Sequence, residues 1–166
     1  MSGEKLPIHD KPVAAELVGT DPQLVFVGMC PGGEEAKAMR PFVGRAGRLL
    51  RKVLATIPVD SYVLTNVVKL PYFQAPPNRV IRDWTPQCHA EVLERALPTV
   101  LLGNVAANVF FPPAPMYKRR GTIHCHGSIP MICTWHPSFA LRPTNPLATN
   151  EIQADIEKLL AAECSE

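Results

Sequence analysis

The sequence predicts an α/β fold: a three-layer α/β/α sandwich around a central, mostly parallel four-stranded sheet. Three observations carry that prediction. Four short apolar runs rich in Val, Ile and Leu recur along the chain, each of strand length. Helical spacings and cap signals stand between them. Strands alternating with helices imply parallel pairing, with helices on both faces of the sheet. The 166 residues make a single domain, 1–166, long enough to bury roughly 70% of the surface its unfolded chain would expose.

Each element has its own signal. Pro12 to Val18 reads as a small leading helix stopped by Gly19. Gln23 to Met29 (QLVFVGM) is a buried strand ending in glycine-rich sequence. Ala46 to Ile57 places Leu49, Leu50, Val53 and Leu54 at helical spacing. Tyr62 to Val68 is the second strand. Thr85 followed by Pro86 has the form of an N-cap and first helical residue, opening a helix that runs to Leu97. Thr99 to Leu102 is the third strand, and Gly103 opens a short helix, Asn104 to Phe111. Ile129 to Thr134 is the fourth strand. Asn150 caps a last helix whose Ile152, Ile156, Leu159 and Leu160 form one stripe.

Composition narrows the class. Apolar residues are 46% and charged residues 19%, which excludes a disordered chain. No apolar run approaches the roughly 20 residues that span a bilayer, so no membrane partner is expected. The N-terminus has no hydrophobic signal region, and a cytoplasmic protein is expected. A net charge of +2 does not by itself imply a polyanion. The 18 prolines exceed the usual share of about 5% and predict many fixed loops. Five cysteines with no C-x-x-C pair read as reduced structural thiols, with no metal site.

In open parallel sheets ligands bind beyond the carboxyl ends of the strands. That rule points to Gly28–Gly44, Asn66–Trp84 and Trp135–Pro143. The first stretch lacks the G-K-[ST] of a phosphate loop and is not G-x-G-x-x-G. It contains Arg40-Pro41-Phe42-Val43-Gly44-Arg45-Ala46-Gly47. Thr65-Asn66-Val67-Val68-Lys69 follows, then Arg120-Gly121, then Thr134-Trp135-His136-Pro137-Ser138, with Leu141-Arg142 beyond. In that order and spacing, over residues 22 to 160, these segments resemble the uracil-DNA glycosylase superfamily, especially its iron–sulfur family 4. The resemblance implies a monomeric, monofunctional enzyme acting on DNA. It would flip and excise uracil, or a 5-substituted pyrimidine such as a hydroxymethylated or glycosylated base of viral DNA, leaving an abasic site. A nucleic-acid-binding module that keeps the pocket without catalysis is the alternative.

The residue chemistry fits a flipped base. Phe42 offers a flat apolar face, and Asn66 carries the acceptor and donors to read a pyrimidine edge. A core phenylalanine and a strand-end cap are the plain structural alternatives. His136 suits charge developing on the departing base, by hydrogen bond or as imidazolium. Leu141 would wedge the duplex, with Ser138 and Arg142 on the DNA. Arg40, Arg45, Arg48, Arg51 and Lys52 suggest one basic face, and Lys118, Arg119 and Arg120 a second.

The departures from the family pattern are informative. Family 4 resemblance implies four cluster cysteines, two in an N-terminal C-x-x-C and two after T-N-V-V-K. Here no cysteine precedes Cys30, Leu70 occupies the third position, and Cys88 alone lies near the fourth, so no cluster or other cofactor is expected. Gly28-Met29-Cys30-Pro31-Gly32 is similar instead to the G-M-N-P-G of single-strand-selective enzymes, with Cys30 for Asn at the reacting centre. Glu35 is then the first candidate to hold water, and Glu34 the second. Gly32 replaces a tyrosine that crowds the pyrimidine C5 in strict uracil enzymes, and Met29 is a flexible wall. Lys118 to His124 resembles the K-R-R-I-H loop of covalent relatives with His124 two residues late, which argues against an adduct there.

Overall fold

A computed structural model describes residues 3–164. The chain order is β1 (Glu16–Val18), β2 (Leu24–Gly28), α1 (Gly33–Ala38), α2 (Arg45–Leu54), β3 (Tyr62–Asn66), α3 (Asn78–Arg95), β4 (Thr99–Leu102), α4 (Asn104–Phe110), α5 (Met116–Arg119), β5 (Ile123–His126), β6 (Ile129–Thr134), α6 (Pro137–Ala140) and α7 (Ala148–Leu160). The strands form one sheet in the order β1-β3-β2-β4-β6-β5. The inner four are parallel. They are the four apolar runs read from the sequence.

The sheet has six strands rather than four, and both edges are antiparallel. Glu16–Val18, expected as helix, instead pairs with β3 through Leu17 opposite Val63. Three residues are too few for periodicity to separate the two states. Thr85 does not cap a helix. Helix α3 starts about two turns earlier, at Asn78, and the Thr85 hydroxyl donates to Ile81 O at 2.7 Å. Pro86 lies inside that helix on its exposed side, where water can satisfy the carbonyl it frees. Helix α7 likewise starts before Asn150, at Ala148.

Alternation along the strands builds two cores. Leu24, Phe26, Leu64 and Ile132 face α2 and α7, meeting Leu50, Leu54, Ile152 and Ile156. Val25, Val27, Val63 and Met131 face the other way, meeting Cys88 and Val92 of α3 and Ala106 and Ala107 of α4. Each such side chain is worth about 1.5–3 kcal/mol of burial. Among the described residues no helix is long and apolar enough to cross a membrane.

The segment before β1 is a strap across the β3–α3 connection. Ile8 N–H donates to Pro71 O at 2.7 Å and Val13 N–H to Lys69 O at 2.8 Å. His9 Nε2 reaches Ala36 O at 2.9 Å, and Glu4 pairs with Arg79.

The cysteines are not all reduced. Cys125 of β5 is bonded to Cys164 just beyond α7, 39 residues later, leaving Cys30, Cys88 and Cys133 as thiols. Neither spacing nor an odd count could reveal a pair brought together by an antiparallel edge strand. A loop of that length is worth about 4 kcal/mol in the chain-entropy account. Chain denatured without reductant should titrate three thiols, and five after reduction. Five without reductant would remove the link.

Candidate active site

Strand β2 is apolar throughout and ends at Gly28 for a steric reason. A Cβ there would stand 2.6 Å from Asn66 Oδ1 and 2.7 Å from Phe42 Cζ. The missing side chain lets the β3 end and the loop before α2 close over the β2 end. Together with His136, beyond β6, they enclose a cavity of about 170 Å³ lined by Cys30, Pro31, Glu35, Phe42, Asn66 and His136, with the first turn of α2 at its edge. The three segments that lie past the carboxyl ends of the parallel strands therefore meet.

The cavity wall is clamped by one carboxylate. Glu35 Oε1 accepts Gly32 N–H at 3.0 Å, and Oε2 accepts Val43 N–H at 2.9 Å and Gly44 N–H at 2.5 Å. Between those anchors Phe42 sits at φ +55°, the left-handed region that a bulky residue avoids. Gly47 permits the turn, since a Cβ there would fall 2.1 Å from the Phe42 carbonyl carbon. On the far side Arg51 donates to Phe42 O at 3.0 Å and Pro41 O at 3.2 Å, and pairs with Glu16 at 2.7 Å. Burial opposes the Glu16 charge, but Arg40 and Arg51 outweigh it and hold that carboxyl below its ordinary range. Arg51, expected on a DNA-facing surface, is a brace for the Phe42 loop.

Asn66 is buried, and among the described residues its side-chain amide has no hydrogen-bond partner. Its donors and acceptor are left to the cavity. Behind it Lys69 is buried, with Nζ 2.6 Å from Thr65 Oγ1, 2.5 Å from Asn66 O and 2.7 Å from Glu91 Oε2. The sequence motif contained Lys69, but nothing local in the sequence points to its partner on α3.

His136 caps α6. Its Nδ1 accepts Ser138 N–H at 3.1 Å and lies 2.8 Å from Ser138 Oγ. An amide can only donate, so Nδ1 holds a lone pair and the neutral ring carries its proton on Nε2. Burial pushes the imidazole down to about 4. The ring is therefore neutral at pH 7, with its proton on Nε2. It also stacks near Phe42, with centroids 6.4 Å apart and planes 27° apart.

The remaining expected residues divide. Burial, reinforced by the nearby Glu35 charge, pushes the Cys30 thiol up to about 12, so Cys30 is a neutral wall of the cavity. Met29 lies outside this cavity and lines a second one of about 180 Å³ with Leu102, Gly103 and His136. A Cβ on Gly32 would meet Glu35 Oε1 at 3.1 Å. Arg45 is exposed at the cavity edge. Lys118, Ser138 and Arg142 are exposed and Leu141 is half-buried at the end of α6. Glu34 is exposed, pairs with Arg48 at 3.1 Å and does not line the cavity.

Two expected DNA contacts are structural. Arg119 is buried, and its guanidinium donates to Pro112 O, Asn104 Oδ1 and Asn108 Oδ1. Arg120 forks onto Asp155 at 2.9 and 3.2 Å and pairs with Glu151 at 2.8 Å. Asp155 also accepts the Thr134 hydroxyl at 2.5 Å. Burial raises the Asp155 carboxyl, and Thr134 and Arg120 oppose that shift. The Arg-Gly loop thus fixes the strand end that delivers His136.

The family described as the uracil DNA glycosylase superfamily matches residues 16–160. A Type-4 uracil-DNA glycosylase of Thermotoga maritima is 37% identical over 152 residues, covering 83% of this chain and 76% of the relative. One of Archaeoglobus fulgidus is 31% identical over 157 residues, covering 82% and 75%. One of Sulfurisphaera tokodaii is 29% identical over 153 residues, covering 82% and 68%.

The donor set does not fit the iron–sulfur cluster that a family 4 resemblance implies. Cys88 and Cys133 are buried in the apolar core and Cys125 is bonded to Cys164. Among the described residues no three or more His, Cys, Asp or Glu side chains group to hold a metal.

The neutral histidine fixes a sign for pH dependence. Any reaction step that uses the Nε2–H of the neutral ring should run level between about pH 8 and pH 6, because the ring takes up a second proton only toward about pH 4. A rate that climbs steadily from pH 8 to pH 6 would indicate an imidazolium instead.

Proposed function

The chain belongs to the uracil-DNA glycosylase superfamily, and on that premise we propose that it is a monomeric, monofunctional DNA glycosylase working without a cluster. The observation that carries this reading is the convergence of Phe42, Asn66 and His136 on one cavity. A flipped pyrimidine stacks on Phe42 while the Asn66 amide reads its edge. As the C1′–N bond breaks, its electron pair moves onto the base, and His136 Nε2–H donates to the base carbonyl oxygen where the charge collects. Water adds to C1′, and its proton ends on the base nitrogen. Glu35 lines the cavity with three of its roughly four acceptor sites used by backbone N–H groups, which leaves one to orient that water. Cys30, a neutral thiol, packs and does not attack.

Uracil is the base named for the relatives, and a 5-substituted pyrimidine is the further substrate we assign. Support for it is the absence of a side chain at Gly32 and the flexible Met29 wall of the adjoining cavity. Exposed Arg45, Lys118, Ser138 and Arg142 suit phosphate contacts, with Leu141 as the wedge.

Competition between oligonucleotides carrying uracil, 5-hydroxymethyluracil and glucosylated pyrimidine tests both levels. Release of at least one base is expected, and His136→Ala should lower it by about 10²-fold or more. DNA binding without release of any base would favour a binding module. Release of uracil alone would remove the enlarged substrate range. Anaerobically purified protein should lack a broad band near about 400 nm and stoichiometric iron and sulfide; their presence would overturn the cluster-free reading.

A further inference from the structure

The connection from β3 to α3 presents an aromatic ring that the pocket residues do not use. Phe73 is 82% exposed, while its neighbour Tyr72 is 4% exposed. A single exposed apolar residue is ordinary on a protein surface. Phe73 differs in how firmly it is held and in where it is held. Tyr72 N–H donates to Pro31 O at 2.9 Å, and Pro31 is a wall of the base cavity. Pro71 O is taken by Ile8 N–H, and Pro76 and Pro77 stiffen the exit toward α3. The ring itself rests on Gly33, where a Cβ would come within 3.1 Å of Phe73 Cε1. The loop therefore fixes a bare aromatic face two residues from the pocket wall.

We infer that Phe73 is a stacking platform for the nucleobase beside the flipped one, a binding contact outside the base cavity. This rests on the reading of the cavity as a DNA glycosylase site. Flipping a nucleotide breaks its neighbour's stack on one side. A fixed aromatic ring at the rim replaces that lost stack without selecting its sequence, because every base has a π-face. The same contact suits a single strand, whose bases are free to splay onto it.

The test is binding, read by fluorescence anisotropy with a labelled single-stranded oligonucleotide carrying one uracil. Two further oligonucleotides replace the 5′ or the 3′ neighbour by an abasic residue. Phe73→Ala should weaken binding of the intact oligonucleotide about tenfold or more, the scale of one base–aromatic stack. That loss should vanish on one of the two abasic versions, and Phe73→Trp should bind at least as well as the parent. Equal binding by Phe73→Ala and the parent would overturn the inference. So would an equal loss on all three oligonucleotides, which would indicate a contact to the backbone or to another protein surface. Base release by the parent is measured in parallel. Its absence would remove the glycosylase reading, while the binding difference still decides whether Phe73 stacks on a base.

Discussion

The Phe42 side of the cavity takes its shape from the Glu35 carboxylate. It draws three backbone N–H groups from two separate loops onto two oxygen atoms. Hydrogen bonds to a charged group are worth roughly 1.5–3 kcal/mol each. A bulky residue in left-handed backbone costs about 1–3 kcal/mol. The clamp therefore outweighs the strain at Phe42, and Arg51 adds two bonds to the carbonyl side of the same loop. The result is an apolar ring fixed in the cavity wall. Had Glu35 merely held water, its removal would leave the loop intact. As a clamp, it is part of the shape of the pocket.

Two more ionic groups stand behind the site and serve geometry in the same way. Lys69 is buried against Glu91 and the carbonyl of Asn66, so the end of β3 is held from below. Arg120 and Asp155 hold the end of β6 through Thr134. Buried pairs of this kind add little net stability against an apolar alternative, but removing one partner leaves the other charge stranded. Their value here is positional. Each fixes a strand end from which a residue of the cavity projects.

Much of this was legible in the sequence, for identifiable reasons. The four inner strands are continuous apolar runs because both faces are covered, and such runs stand out. The edge strands are three and four residues long and half exposed, so they carry no pattern. The Thr85–Pro86 signal misled because helix packing overrode a local preference on an exposed face. For the site, the segments past the strand ends were readable from the parallel-sheet rule, and Phe42, Asn66 and His136, which the motifs singled out, line one cavity. Hidden from sequence were the long-range partners: Glu91 for Lys69, Asp155 for Arg120, Cys164 for Cys125. Arg119 illustrates the limit. Its neighbours in sequence are basic, yet its acceptors are the side chains and backbone of α4 and the turn after it.

The N-terminal strap has a dynamic consequence. Segments held by a few hydrogen bonds open locally at less free-energy cost than global unfolding. Residues 8 and 13 are the ones that hold the Pro71 and Lys69 carbonyls. Opening of the strap would free two carbonyls of the segment that Tyr72 N–H joins to Pro31, which couples the strap to that side of the pocket. Exchange of the Ile8 and Val13 amide protons with solvent then reports the opening of that strap.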